Sequence, residues 1–161
     1  DAGSWYYLDA RTGAMATGWT QVDGQWYFLR SSGAMVTGWL NLGGTWYYLS
    51  GSGAMATGWL YDGGSWYYLD PTTGAMAVGW VQVDGKWYFL RSSGAMVTGW
   101  LNGGNAWYYL SGSGAMATGW VLDNGAWYYL GDTGAMGTGT REVDGRSSTF
   151  APSGRWVGYA S

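Results

Sequence analysis

Tryptophan recurs along this sequence at positions from which its rings could hold a ligand. The chain has 161 residues, including 14 Trp and 14 Tyr, and aromatic residues make up 19% of it. The face of an aromatic ring carries partial negative charge, which attracts a cation. The same flat face can stack on the apolar side of a sugar. The residue types therefore favour one of two ligands, a quaternary ammonium group or a glycan.

All the Trp residues except Trp156 fall into two series with fixed neighbours. Members of the first follow Gly, and members of the second open a run of Trp-Tyr-(Tyr/Phe)-Leu. The first series is Trp19, Trp39, Trp59, Trp80, Trp100 and Trp120. The second series is Trp5, Trp26, Trp46, Trp66, Trp87, Trp107 and Trp127. Filling a core would not require the bulkiest side chain twice in every unit, so we assign both series to ligand binding.

The remaining composition argues against catalysis and against several kinds of partner. The chain has no Cys and no His, which removes disulfides, the usual zinc sites and any His-activated nucleophile. Its ten Asp and Glu residues do not recur as a pair that could flank a sugar at about 5 to 9.5 Å. Charged residues are 11% and the net charge is −3, so no basic surface is available for nucleic acid. We predict no enzyme activity, no cofactor, no metal, no nucleic-acid partner and no membrane span.

A tandem repeat must position these rings. Gly-Ala-Met recurs at nearly regular intervals, and a longer period, spanning three of these units, maps Trp19 onto Trp80. Two-residue turn signals such as Asp23-Gly24 and Gly43-Gly44 separate the two Trp of each unit. They favour the type I′ or II′ turns of a β-hairpin. The sequence therefore predicts an all-β fold, a β-hairpin solenoid of repeats of about 20 residues.

The turn position decides which rings share a face. With Gly43-Gly44 at the centre, residue 39 lies opposite residue 48. Because side chains alternate along a strand, Trp39, Trp46 and Tyr48 share one face and Tyr47 takes the other. We therefore assign the last aromatic of each run to the ligand, and the middle Tyr and the closing Leu to the core.

The polar residues on the Trp face help to separate the two ligands. A sugar needs hydrogen-bonding partners beside the rings, and Gln21, Asn41, Gln82 and Asn102 could supply them. Tyr61 and Leu122 occupy the same position in two other hairpins. This pattern favours a cation, although a glycan ligand and a purely structural stalk remain open.

The complete unit resembles a known family. Gly-Trp, six residues, Trp-Tyr-Tyr-Leu and then Ser-Gly-Ala-Met-x-Thr-Gly-Trp is similar to the choline-binding, or cell-wall-binding, repeats of Gram-positive surface proteins and of bacterial and phage lytic enzymes. The resemblance covers residues 3 to about 139. Related glucan-binding repeats of glucosyltransferases and clostridial toxins share Tyr-Tyr and Gly-Trp but usually lack the second Trp.

The resemblance implies a fold, a ligand and a location. It implies a left-handed solenoid in which choline of teichoic acid lies between consecutive repeats, in a cage of two Trp and a Tyr with Met nearby. It also implies a secreted protein at the bacterial cell surface, or a phage lysin acting on the wall.

Carried onto this chain, the resemblance implies cages made of two Trp from one hairpin and the last aromatic of the next. The predicted sets are Trp19, Trp26 and Tyr48; Trp39, Trp46 and Tyr68; Trp59, Trp66 and Phe89; Trp80, Trp87 and Tyr109; and Trp100, Trp107 and Tyr129. The predicted methionines are Met35, Met55, Met76, Met96 and Met116.

The last repeat departs from the pattern. Gly139-Thr140 stands where Gly-Trp is expected, and Ser147-Ser148-Thr149 replaces Trp-Tyr-Tyr. Because the end of a repeat array needs an atypical cover, we predict tandem repeats over 1–139 and a degenerate repeat over 140–161 that acts as a cap.

The two ends of the sequence also differ in their expected cages. Trp120 and Trp127 look intact, but their predicted closing position is Thr149, so we expect an open and weak site there. Trp5 has no Gly-Trp partner, so we expect an incomplete cage. Because the sequence opens within a motif at Gly3-Ser4-Trp5, we expect it to be a piece of a longer protein.

Overall fold

The computed structural model describes residues 3–161, and over this range the fold is all-β. The described residues form fifteen strands and no helix, and no helix among them is therefore long and apolar enough to cross a membrane. The predicted fold class of repeated hairpins is confirmed, whereas the left-handed winding stays a prediction. The strands are β1 (Gly18–Val22), β2 (Gln25–Leu29), β3 (Gly38–Leu42), β4 (Thr45–Leu49), β5 (Gly58–Asp62), β6 (Ser65–Leu69), β7 (Gly79–Val83), β8 (Lys86–Leu90), β9 (Gly99–Asn102), β10 (Trp107–Leu110), β11 (Gly119–Asp123), β12 (Ala126–Leu130), β13 (Gly139–Val143), β14 (Arg146–Phe150) and β15 (Trp156–Tyr159).

The hairpin turns follow the sequence signals. Asp23 and Gly24 have φ angles of 50° and 79°, the left-handed conformation that both central residues of a type I′ turn require. The β3–β4 register pairs Trp39 with Tyr48, as the turn position predicts. Consecutive strands pair in this way in every hairpin from β1–β2 to β13–β14.

The closing Leu of each run forms the core, as predicted. Each of these side chains is at most 2% exposed. Removing a Leu side chain from water contributes about 1.5–3 kcal/mol, so this column is a main source of stability. The residues are Leu29, Leu49, Leu69, Leu90, Leu110 and Leu130.

Met76 links its repeat to neighbouring ones through both its backbone and its side chain. The Met76 N–H donates to the carbonyl oxygen of Trp46 at 2.8 Å. The Met76 sulfur also packs where a Cβ of Gly94 would stand, and Gly94 has a φ of 86°. A residue with a side chain would be strained at this position and would displace the methionine.

Two repeats contain an extra loop residue, and an aspartate accommodates it in each case. Asp70 accepts backbone N–H groups from Thr72 and Thr73, both at 2.8 Å. These hydrogen bonds, led by that of Thr73, lower the pKa of Asp70 because they favour the charged carboxylate. Asp9 holds its loop in the same way, and its pKa is lowered mainly by the backbone N–H of Thr12.

The contacts divide the chain into two compact units. The first contains the chain up to Val78 together with Ser92–Ala95, and the second contains Gly79–Arg91 and Met96–Ser161. The first holds hairpins β1–β2, β3–β4 and β5–β6. The second holds the remaining hairpins and a three-stranded sheet in the order β13-β14-β15. The division of the sequence into 1–139 and 140–161, with the second part as a cap, stays a prediction.

Candidate ligand-binding cages

An open cavity of about 240 Å³ in the first unit is lined by Trp39, Trp46, Tyr67, Met76 and Ser93. The Trp39 and Trp46 rings stand almost perpendicular, with centroids 6.4 Å apart. Tyr67 meets Trp39 edge to face at 4.9 Å. Three rings at steep angles and a thioether therefore surround one small volume, which we call the Trp39 cage.

The second unit repeats this arrangement at the positions given by the longer period of the sequence. Trp100 meets Tyr128 edge to face at 4.8 Å, as Trp39 meets Tyr67. The cavity of about 370 Å³ beside them, which we call the Trp100 cage, is lined by Trp100, Trp107, Tyr128, Met136, Pro152 and Ser153. The same set of rings thus recurs within each unit.

The structure places a different ring beside the Trp pair from the closing ring that the sequence predicts, and the binding role of the predicted ring stays a prediction. Tyr48 packs on Trp39 of its own hairpin at 5.1 Å, and Tyr68 packs on Trp59 of its own hairpin and is 9% exposed. The ring that reaches the Trp pair from the next hairpin is the middle Tyr of the run, Tyr67 in the Trp39 cage. The Trp face of hairpin β3–β4 therefore lies against the opposite face of hairpin β5–β6.

The other last aromatics have the same placement. Each of them pairs with the Gly-Trp ring of its own hairpin. The ring pairs and centroid separations are Trp80–Phe89 at 5.2 Å, Trp100–Tyr109 at 5.0 Å and Trp120–Tyr129 at 5.3 Å. The middle Tyr, which the sequence pattern assigns to the core, is instead a wall of the cage.

Two further Gly-Trp rings contact the middle Tyr of the next hairpin in the same way. Trp19 meets Tyr47 at 5.0 Å, and the carbonyl oxygen of Trp26 accepts the Met55 N–H at 2.7 Å. In the second unit, Trp80 meets Tyr108 at 5.1 Å and the carbonyl oxygen of Trp87 accepts the Met116 N–H at 2.7 Å. These sets are named the Trp19 cage and the Trp80 cage.

The predicted set of Trp59, Trp66 and Phe89 stays a prediction, because Trp59 and Trp66 belong to the first unit and Phe89 to the second. Met96, also predicted to bind ligand, packs against Gly114 within the second unit. Among the predicted methionines, Met76 lines the Trp39 cage. Met136 lines the Trp100 cage but is absent from the predicted set. The Met of this cage comes from the loop that follows Tyr128, and the prediction did not extend to that loop.

The N-terminal cavity combines one Trp with the same Tyr and Met positions. Its volume is about 390 Å³. Trp5, which is 76% exposed, lies there with Tyr27 and Met35. The other lining residues are Tyr6, Tyr7, Val22, Leu29, Gly51 and Ser52. The predicted methionine Met35 therefore belongs to this cavity.

The C-terminal Trp pair has two neighbouring rings that the sequence analysis does not assign to it, and the weak binding expected there stays a prediction. A cavity of about 290 Å³ is lined by Trp120, Trp127, Trp156 and Tyr159. Trp156 meets Trp120 at 5.9 Å and 84°. We call this set the Trp120 cage, in which strand β15 supplies rings that the hairpin β13–β14 lacks.

The strand register of the last hairpin shows which residue stands where other hairpins have the middle Tyr. Ser148, rather than Thr149, occupies the middle-Tyr position of the last hairpin. It pairs with Tyr159 of β15 and is fully buried, and its Oγ has no hydrogen-bond partner among residues 3–161. The last hairpin therefore offers no ring at this position, and Trp156 and Tyr159 of β15 line the cavity instead.

Three aspartates that the sequence analysis did not single out contact cage indoles. Asp62 accepts the Nε1–H of Trp39 at 3.0 Å, and Asp123 accepts that of Trp100 at 3.1 Å. Asp144 accepts the Nε1–H of Trp120 at 3.2 Å. One feature of the sequence could have identified them: each of these Gly-Trp rings is followed by a hairpin with an Asp in its turn region.

The chain matches two models of known repeat families. The family model for the choline-binding repeat matches residues 16–57, 41–79, 77–118 and 97–141. A model for cell wall binding repeats matches residues 1–15. No relative was found among curated protein sequences.

Several solved structures are similar to this chain. Choline binding protein F from Streptococcus pneumoniae is 48% identical with a TM-score of 0.90, and the match covers 98% of this chain and 55% of that one. CbpJ from Streptococcus pneumoniae TIGR4 is 47% identical with a TM-score of 0.91, covering 98% and 56%. The modular autolysin LytC from Streptococcus pneumoniae is 34% identical with a TM-score of 0.66, covering 96% and 37%. The chain thus spans about half the length of the first two.

Proposed function

Since this chain belongs to the choline-binding repeat family, we propose that it is a non-catalytic module that holds choline of teichoic acid and so attaches a larger protein to the bacterial cell wall. The Trp39 cage carries the proposal, because three rings and a thioether converge there on one small volume.

The lining of this cage suits a quaternary ammonium group. Such a group is positively charged but has no N–H to donate, so it gains little from ordinary polar partners and much from ring faces. Trp39, Trp46 and Tyr67 present rings at steep mutual angles, and Trp46 remains 41% exposed. Met76 adds a polarizable apolar surface.

The amide side chains on the Trp face favour choline over a glycan. Asn41 Oδ1 accepts the backbone N–H of Gly44 at 3.1 Å, and Asn102 Oδ1 accepts that of Gly104 at 2.9 Å. These oxygens are engaged in holding the hairpin turns. A sugar would find fewer polar partners beside the rings than the sequence alone suggests.

Each cage binds weakly, and attachment depends on several cages acting together. A cation–π contact contributes about 0.5–2 kcal/mol, which places a single site in the weak range. A polymer that carries many choline groups engages a second cage at high effective concentration. The resemblance to both repeat proteins and an autolysin supports a role as an attachment module at the cell surface.

Titration with matched ligands tests the proposal. Choline should quench or shift Trp fluorescence at millimolar concentration, whereas 3,3-dimethylbutan-1-ol, its uncharged isostere, should bind more weakly. A dextran or wall glycan without choline should give no change. A clear response to the glycan with none to choline would overturn the choline assignment.

A further inference from the structure

Three cages contain an indole whose N–H donates to a carboxylate of the following hairpin. The N···O distances are 3.0 Å for Trp39–Asp62, 3.1 Å for Trp100–Asp123 and 3.2 Å for Trp120–Asp144. The first two pairs are equivalent under the longer period of the sequence. The first unit thus contains one such contact, and the second unit contains two, at the Trp100 cage and at the Trp120 cage.

Two other cages lack this contact. The position of Asp62 is occupied by Leu42 beside the Trp19 cage and by Gly103 beside the Trp80 cage. Within residues 3–161, no side chain accepts the indole N–H of Trp19 or Trp80. The Trp19 and Trp80 cages therefore have the same contact between the Gly-Trp ring and the middle Tyr as the Trp39 and Trp100 cages, but lack the carboxylate at the edge of the Gly-Trp ring.

The position of the carboxylate determines how it acts. An indole N–H lies in the ring plane, so Asp62 sits at the ring edge and not among the residues that line the Trp39 cage. A cation held over the ring face does not need to touch it. The carboxylate polarises the indole through a charge-assisted hydrogen bond, which makes the ring face more negative. Its full charge also attracts the cation directly.

Taking the proposed function as the starting point, we propose that Asp62, Asp123 and Asp144 are specificity-determining residues that divide the cages into two classes. The Trp39, Trp100 and Trp120 cages bind cationic ligands more tightly than the Trp19 and Trp80 cages. The two classes differ little for an uncharged ligand of the same shape. Preference for a charged headgroup is thereby concentrated at three sites.

Indole N–H resonances in ¹⁵N-correlated NMR spectra provide a site-resolved test, because each Trp gives its own signal. We expect choline to saturate the Trp39 and Trp100 signals at lower concentration than those of Trp19 and Trp80. Asp62→Asn keeps an acceptor oxygen but removes the charge. It should weaken choline binding at Trp39 about threefold, the effect of one charge several ångströms away in a water-like dielectric. The Trp100 signal should not change and serves as the internal control.

A gain-of-charge variant tests the same idea in the opposite direction. Leu42→Asp places a carboxylate at the equivalent position beside the Trp19 cage and should tighten choline binding there about threefold. Asp23→Asn, which removes the same charge from a turn that accepts no indole N–H among the described residues, should leave Trp39 unchanged. Titration with 3,3-dimethylbutan-1-ol should give equal affinities for wild type and Asp62→Asn.

The outcomes distinguish this inference from the proposed function. If choline moves no indole signal at any cage, the proposed function fails. If choline binds but the five cages have equal affinities, and neither Asp62→Asn nor Leu42→Asp changes them, the choline assignment stands and the division into two classes is wrong. Equal weakening of choline and its uncharged isostere would show that Asp62 only positions the ring.

Discussion

At the scale of single residues, the closing ring of each cage is the decisive assignment. Tyr67 and Tyr68 are adjacent in sequence but lie on opposite faces of one hairpin. Tyr67 reaches the Trp39 cage, and Tyr68 packs against Trp59 and is almost fully buried. The two residues should therefore respond to the same substitution in different ways.

We expect Tyr67→Leu to weaken choline binding at Trp39 by a few-fold to about thirtyfold, which corresponds to the loss of one cation–π contact of about 0.5–2 kcal/mol. Tyr68→Leu should lower the unfolding midpoint and leave the affinity at Trp39 largely intact. Site-resolved NMR and thermal unfolding measure the two effects. Loss of binding only in the Tyr68 variant would restore the last aromatic as the closing ring.

Ser148 gives a second residue-scale prediction. Its hydroxyl is fully buried without a hydrogen-bond partner among the described residues. Ser148→Ala removes an unsatisfied polar group and should stabilise the protein by about 1 kcal/mol in urea unfolding. Ser147→Ala, one position along the same strand, is the control and should change stability less. A loss of stability in Ser148→Ala would mean that the hydroxyl has a partner.

At the scale of elements, the Trp39 cage depends on Gly94, a loop glycine that contacts two of the cage residues. A Cβ on Gly94 would meet Met76 and also Tyr67, whose Cδ1 lies 3.0 Å from that position. Both neighbours are walls of the Trp39 cage. A side chain at Gly94 would therefore displace Met76 and Tyr67 from their positions in the cage.

We expect Gly94→Ala to reduce choline affinity at Trp39 severalfold. The matched control is Gly64→Ala, because Gly64 has nearly the same φ, 88° against 86°, but nothing within 4 Å of the added Cβ. Both variants should lose about 1–2 kcal/mol of stability from the left-handed backbone. Equal affinity in the two variants would show that Met76 and Tyr67 move aside without consequence.

Strand β15 is the element that completes the Trp120 cage. Trp156→Ala should abolish the choline response of the Trp120 indole and lower stability by about 3 kcal/mol, as expected for a large ring removed from a packed site. Val157→Ala, which alters an exposed neighbour on the same strand, should do neither. Titration of both variants, followed through the Trp120 signal, provides the measurement. A full response without Trp156 would show that Trp120, Trp127 and Tyr159 suffice for binding.

At the scale of the whole molecule, the proposed function requires many weak sites. We expect a polymer that bears many choline groups to bind 10²- to 10⁴-fold more tightly, as an order of magnitude, than free choline. Competition by free choline on a choline-bearing surface measures the difference. A polymer no tighter than the monomer would mean that the cages cannot engage one chain together.

The sequence predicts the hairpins well because their determinants are local. The turn pair Gly43-Gly44 fixes the register, and alternation along the strand then places Trp39 opposite Tyr48. The closing Leu49 lies in the core, as its place in the run predicts. All three inferences use residues within one repeat.

The features that the sequence does not predict depend on contacts between repeats. Alternation within a hairpin does not say which face of the next hairpin lies against it, so the pattern places Tyr67 in the core. Trp156 belongs to a strand outside the repeat pattern, and its pairing with β14 is not encoded by any period. The bond from Trp39 to Asp62 joins residues that only the packing of successive hairpins brings together.

The lining of the Trp39 cage has a consequence for how such chains can be shortened, lengthened and recombined. Its residues come from three successive repeats: Trp39 and Trp46 from one, Tyr67 and Met76 from the next, and Ser93 from the loop of a third. The sequence repeat and the binding site therefore do not coincide, because each site of this kind takes residues from successive repeats and each repeat contributes to more than one site. Duplication of one repeat in register adds one binding unit without creating a defective junction, wherever the crossover falls. A single repeat cut out on its own would carry parts of three sites and complete none.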